Sequence, residues 1–213
     1  MKQGTLVFGA GGHARAAIDA LEACGVPLGG LFDDNPELRG TSCLGHEVAG
    51  GREELLARLG EGCVVVIAIA RNEVRRQLAR ELEARGVRLA GFRHPAAVVS
   101  RHAVVAETAQ VLAGAIVNAG ARLGEHAVVN TGAIVEHDCR IGAFAHVGPG
   151  ATLAGAVEAG EGALIGAGAT VLPLCRIGAW ATVGAGAVVI HAVPDGTTVV
   201  GVPARELRGG AAS

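Results

Sequence analysis

The sequence predicts two structural classes in one chain: an α/β unit over residues 1–95 and an all-β unit, a parallel solenoid of triangular section, over residues 96–213. Three observations carry this. From Val99 to Val189 an aliphatic residue recurs at every sixth position, with Ala159 the one lapse. Four places after each comes a small residue, Ala in most rungs, Cys at 139 and 175, Val at 157 and 193. Charge is also divided, because residues 1–97 hold 24 of the 38 charged side chains. A period of six fits neither the helical 3.6 nor simple strand alternation, and belongs to a coil in which each hexapeptide forms one side. Residues eighteen apart then stack at about 4.8 Å, one strand spacing.

The first unit alternates strand and helix. Thr5–Phe8 reads as a strand, Gly9–Gly12 as a glycine turn, and His13–Cys24 as a helix with Ala14, Ala17, Ile18 and Leu21 on one side. Leu28–Phe32 is a second strand ending in Asp33 and Asp34. Glu53–Leu59 is a short helix, Cys63–Ala70 a buried strand, Asn72–Arg85 a charged helix and Val87–Phe92 a closing strand. Such alternation argues a small parallel sheet covered by helices. The Arg-rich run 71–85, interleaved with Glu73, Glu81 and Glu83, reads as a solvated helix face. His94-Pro95 marks the link, since a residue before proline favours extended backbone.

The second unit needs few aromatic residues, and the whole chain has four Phe, one Trp and no Tyr. About five coils are expected, with no inserted loop between Val99 and Val193 and with flat faces rich in Ala, Gly and Val. Apolar surface of that kind marks an interface. The formal net charge of −2 gives no reason to expect a nucleic-acid partner. No run approaches the ~18 apolar residues of a membrane span. The five cysteines are scattered, and Cys139 and Cys175 lie two coils (roughly 9–10 Å) apart, too far for a disulfide. They read as interior fillers of a cytoplasmic protein.

Most outward positions of the repeats are Gly, Ala or Thr, so polar exceptions stand out, and one group of them is Asn118, Asn130, Glu136, His137, Asp138 and His146. Asn118 and Glu136 should stack, and His137-Asp138 falls at a corner. A His beside a carboxylate has the parts of a general base, the imidazole taking a proton and the carboxylate stabilising the imidazolium. The same pair could simply cap an exposed corner. His102, His126 and His191 lack partner motifs and read as surface groups. In the first unit, Gly9-Ala-Gly-Gly-His13 lets backbone N–H groups approach phosphate oxygens, with Asp33 about twenty residues on, as in a Rossmann-like domain. A tight turn without a ligand is the alternative.

The segment from Asn130 to Val147, with Glu136-His137-Asp138 and His146, resembles the hexapeptide-repeat nucleotide-sugar N-acetyltransferases of the bacillosamine and perosamine type, relatives of sialic acid O-acetyltransferases. The likeness runs from the Gly9 turn to Pro203. It implies a left-handed parallel β-helix behind a Rossmann-like nucleotide-sugar-binding domain, assembled as a homotrimer with active sites between subunits. It also implies acetyl-CoA as co-substrate, no metal, and a nucleotide-linked 4-amino-4,6-dideoxy sugar as acceptor for surface glycan synthesis. By this resemblance His137 is the general base and Asp138 supports it. His146 lies beside the thioester, and Ala167 and Ala185 receive the pantetheine arm. Gly11, Gly12, His13, Asp33, Asp34, Ala70 and Asn130 hold the nucleotide-sugar. Ala70-Arg71 departs from the Gly or other small polar residue usual after Ile69, which bears on base and sugar specificity.

Rival readings are a metal hydratase like the γ-type carbonic anhydrases, which share the solenoid, and a noncatalytic nucleotide-binding module on a trimerising stalk. The sequence lacks the His spacing of the first, and a stalk has no use for the polar constellation. O-acetylation of a sialic acid or other sugar keeps the enzyme class and changes the acceptor.

Overall fold

The computed structural model describes residues 4–60 and 62–207. The chain divides into two compact units, Met1–Pro95 and Ala96–Ser213.

The first unit is built on a parallel sheet of β1 (Thr5–Phe8), β2 (Leu28–Phe32) and β5 (Val65–Ile67), in the order β2–β1–β5. A two-residue hairpin, β3 (Ser42–Cys43) and β4 (His46–Glu47), lies between β2 and β5 in the chain. The helices are α1 (Gly12–Ala23), α2 (Arg52–Arg58) and α3 (Asn72–Ala84). α1 buries Ala14, Ala17, Ile18 and Leu21, the stripe its sequence predicts, and Leu6, Val7 and Phe8 of β1 are buried with them. β5 is shorter than the expected strand at 63–70. The expected strand at 87–92 reduces to a single bridge of Leu89 to Val65 and a short strand Phe92–Arg93, because Gly91 breaks the apolar run.

One expectation for α3 is overturned. Arg75 is fully buried instead of solvated, because it shares the i, i+3, i+4, i+7 row with Leu78, Ala79 and Leu82, which are also buried. Its guanidinium donates to the carbonyls of Ile69 and Ala70, both at 2.9 Å, and to Asn72 Oδ1 at 2.9 Å. Burial lowers its pKa to about 10.

The second unit is a parallel β-solenoid of two-residue strands, each paired with the strand eighteen residues on. Val98–Val99 to Val188–Val189 make the first face, Val104–Val105 to Arg176–Ile177 the second, and Gln110–Val111 to Thr182–Val183 the third, which Thr198–Val200 extends. The second residue of every strand from Val99 to Val189 is the aliphatic member of the sequence series, and nearly all are buried in one continuous column with their small companions. Each fully buried Val, Leu or Ile contributes about 1.5–3 kcal/mol. At the lapse, Ala159 is accompanied by Val157 where most rungs carry Ala, so large and small exchange places and the volume is kept.

The corners turn through left-handed residues that sort by edge. Between the third and first faces they are all glycine: Gly114, Gly132, Gly150, Gly168 and Gly186. Between the first and second they are Gly120, Asp138, Ala156 and Leu174. Between the second and third they are His126, Phe144, Gly162, Trp180 and Gly196. The last edge corrects the reading of His126 as a surface group. It is 2% exposed and stacked on Phe144, eighteen residues on, with ring centroids 5.0 Å apart. The faces also differ more than the composition suggested, since the second carries Arg122, Arg140, Glu158 and Arg176 in register.

Candidate active site

On the edge between the first and second faces, His137 and Asp138 occupy a corner and stand exposed. Asp138 adopts φ +61°, a region where Asp is tolerated better than most residues, and its N–H donates to the carbonyl of Ala119 in the previous coil at 3.1 Å. That conformation turns the carboxylate back along the chain, and His137 Nδ1 meets Asp138 Oδ2 at 2.9 Å. The carboxylate accepts, so the ring proton sits on Nδ1 and Nε2 presents its lone pair. The N–H of His137 donates to Glu136 Oε2 at 3.2 Å. The geometry is that of an oriented imidazole base on a rigid scaffold. Cys139, next in sequence, is no rival nucleophile: it is buried, its Sγ donates to the Ala154 carbonyl at 3.1 Å, and desolvation raises its pKa.

At the all-glycine edge the structure brings together Asn130, on the corner, and His146, on the adjoining third-face strand. The amide nitrogen of Asn130 donates to His146 Nε2 at 3.0 Å, while its oxygen accepts from the Thr131 N–H at 2.8 Å. Ala167 and Ala185 continue this edge upward. Around Gly132, Gly150, Gly168 and Gly186 a Cβ would meet nothing within 4 Å, so bare backbone faces open space. Among the described residues, the N–H groups of Ala167 and Ala185 donate to no backbone carbonyl.

In the first unit, β1 runs into Gly9, whose φ of +112° and whose approach to the Ala68 carbonyl (2.6 Å from a notional Cβ) both demand glycine. Gly11 caps α1 with no side-chain bond, His13 is the second residue of the helix, and beside Gly11 and Gly12 there is open space. Asp33 does not stand free. Its Oδ2 accepts from the Ala10 N–H and its Oδ1 from the Asn35 N–H, both at 2.8 Å, so it clamps the glycine turn. Asp34 pairs with Arg52, which also pairs with Glu81. Burial acts to raise the Asp34 pKa, but hydrogen bonds from the Arg52 side chain and backbone, and its charge, outweigh this and hold it below the ordinary value. A cavity of about 180 Å³ opens beside these groups, lined by Phe8, Asp33, Asp34, Arg52, Ile69 and Gln77 among others. It lies near the carboxyl ends of β1, β2 and β5, where parallel sheets bind ligands. Sequence reasoning missed both Arg52 and Arg75 here. Ala70 enters through its carbonyl, bound by Arg75.

Among the described residues no group of three or more His, Cys, Asp or Glu side chains could hold a metal ion, and no helix is long and apolar enough to cross a membrane. Residues 5–82 match the PglD N-terminal domain family. No curated protein sequence matches the chain significantly. Among solved structures, PerB from Caulobacter crescentus in complex with CoA and GDP-perosamine is 39% identical, with a TM-score of 0.92 over 98% of this chain and 99% of that one. The acetyltransferase domain of PglB from Neisseria gonorrhoeae, in complex with acetyl coenzyme A, is 36% identical, with a TM-score of 0.90 over 97% of this chain and 100% of that one. WeeI from Acinetobacter baumannii is 29% identical, with a TM-score of 0.88 over 95% and 99%. Near-complete coverage at this identity, on a hexapeptide solenoid with an α/β unit before it, means that the chain belongs to the hexapeptide-repeat sugar N-acetyltransferases of the perosamine type.

Proposed function

We propose that the protein transfers the acetyl group of acetyl-CoA to the 4-amino group of a nucleotide-linked 4-amino-4,6-dideoxy sugar, with His137 as general base. The observation that carries this is the 2.9 Å contact of His137 Nδ1 with Asp138 Oδ2 on an exposed solenoid corner. It is supported by the likeness to PerB, solved with CoA and GDP-perosamine, and to variants of the perosamine enzyme in which one histidine is replaced by Asn or Ala.

The sugar amine attacks the thioester carbonyl and His137 Nε2 takes the proton that the amine loses. Asp138 stabilises the imidazolium. The tetrahedral intermediate collapses with cleavage of the C–S bond, and the proton on His137 can return to the departing thiolate. General-base action contributes about 10²–10⁴-fold, and orientation supplies much of the rest. The N–H groups of Ala167 and Ala185 bond the pantetheine arm along the bare glycine edge, with His146 at the thioester end. In the α/β unit the N-terminus of α1 at Gly11, Gly12 and His13 receives the phosphates in the Rossmann-like manner. Asp33, Asp34, Ala70 and Asn130 complete the substrate contacts, the first three through the turn and loop they brace.

The working assembly is a homotrimer of left-handed coils. His137 and the Asn130–His146 pair stand on different edges, separated by the whole first face. A six-residue side at about 3.3 Å per residue is well over 10 Å wide, so one coil cannot bring both to one thioester. Two copies can, if their first faces turn towards a common axis. That face exposes Val98, and half-buried Ile116 and Ile134 lie on it, while Leu172 and Leu174 stand exposed at its margin. We place the protein in the cytoplasm with its acetyl-CoA, consistent with five free cysteines.

The test is release of coenzyme A from acetyl-CoA with a panel of UDP- and GDP-linked 4-amino-4,6-dideoxy sugars. Release with one of them, lost by 10²-fold or more in His137→Ala while that sugar still binds, is the expected outcome. Wild-type turnover in His137→Ala would remove the base assignment. Release only with hydroxyl acceptors would redirect the reaction to O-acetylation.

A further inference from the structure

The edge that carries His137 repeats one backbone position coil after coil, occupied by Ala119, His137, Gly155 and Pro173. None of these four has a left-handed φ. Alanine and proline occupy the same place in neighbouring coils, so the backbone does not ask for glycine at 155. The imidazole does. A Cβ at Gly155 would lie 2.6 Å from both Cε1 and Nε2 of His137 and 3.4 Å from Cδ2. No real Cβ contact is that close, and what it strikes is a ring already engaged at its other nitrogen by Asp138. The coils themselves cannot separate, because the Ala156 N–H donates to the His137 carbonyl at 2.9 Å and the Leu174 N–H to the Gly155 carbonyl at 3.1 Å. On the other side, a Cβ at Gly120 would fall inside contact distance of Asp138 Oδ1.

We propose that Gly155 is a positioning residue for the acetyl-transfer reaction: its missing side chain is the space in which the His137 imidazole lies while bonded to Asp138. Gly120 provides the matching space for the carboxylate, so the pair is seated between two glycines of adjacent coils. With a methyl group at 155, the ring must rotate about its side-chain torsions. It then gives up either the Nδ1 contact with Asp138 or the direction of Nε2. The inference rests on His137 being the base, and the experiment separates the two.

Gly155→Ala, His137→Ala and the double variant are compared with the parent in the full-length protein, using acetyl-CoA and whichever nucleotide-linked amino sugar of the panel supports coenzyme A release. Gly155→Ala is expected to lower kcat about 10²-fold, the cost of displacing a catalytic group by roughly 1 Å. KM for both substrates should stay within threefold and Tm within 2 °C (roughly), since the backbone at 155 accepts alanine. On a His137→Ala background the same substitution should change nothing, because its effect passes through the ring. A kcat within threefold of the parent, or an equal loss on both backgrounds, overturns the proposal. If His137→Ala falls below detection, a crystal structure of Gly155→Ala decides. A displaced ring with the Nδ1 contact or the direction of Nε2 lost supports it, and an unmoved ring with the 2.9 Å contact kept overturns it. Parent-like turnover in His137→Ala is the separate failure of the base assignment.

Discussion

The indole of Trp180 fills the space that a side chain at Gly162, one coil earlier, would need: a Cβ there would fall inside contact distance of three ring atoms. Gly162 also has φ +64°. Gly162→Ala therefore meets a left-handed backbone and an aromatic ring together, and should destabilise the protein by about 3 kcal/mol. Trp180 is the sole tryptophan, so denaturation followed by its fluorescence reports both the stability and the displaced ring as a red-shifted emission. An unchanged spectrum and midpoint would mean that the indole has another place to go.

At Asn130 the proton count is settled by Thr131. Because the Thr131 N–H holds the amide oxygen, the amide nitrogen must face His146, and Nε2 of that ring must accept. Asn130→Ala should lower kcat/KM for acetyl-CoA about tenfold, the value of roughly one hydrogen bond left unmade. Asn130→Asp is nearly isosteric but offers an acceptor where a donor is needed, so it should cost at least as much at neutral pH. Steady-state kinetics on the two variants check this, and a harmless Asn130→Asp would refute the assigned tautomer.

Arg75 holds two carbonyls of the loop after β5 from inside the α/β unit. Arg75→Leu fills similar volume but leaves both acceptors short of a donor, at a cost of about 2 kcal/mol. Urea denaturation should show the loss. If that loop contacts the nucleotide-sugar, KM for this substrate rises while KM for acetyl-CoA stays put. Equal changes in both KM values would limit Arg75 to a role in stability.

The solenoid was legible because every rung repeats one environment, so burial, small companions and register all follow from a period of six. The His137–Asp138 contact was legible for the same reason: a corner position and adjacency in sequence bring the two side chains together. What escaped depended on long steps or on local exceptions. Asp34 and Arg52 meet across an eighteen-residue excursion that includes the β3–β4 hairpin, which composition does not reveal. Arg75 was hidden by its charged neighbours, although its row with Leu78, Ala79 and Leu82 was there to be seen. His126 was misjudged in isolation, and its spacing of eighteen from Phe144 was the available signal.

The upper end of the coil is finished by a reversal of direction. Thr198–Val200 adds one more parallel rung to the third face, and Arg205–Glu206 then pairs with it antiparallel. The same closing segment meets the other two faces, with the Val193 N–H donating to the Arg176 carbonyl and the Ala204 N–H to the Val188 carbonyl. A stack of identical parallel rungs is self-templating, since its last layer offers the next chain what each layer offers its successor. Here the third face ends in a strand that runs the wrong way and carries two charged side chains, and the closing segment covers the last strands of the other two, so another chain finds no matching lattice on which to grow. The device that completes the coil is also what keeps a repeat of this regularity from becoming a fibre.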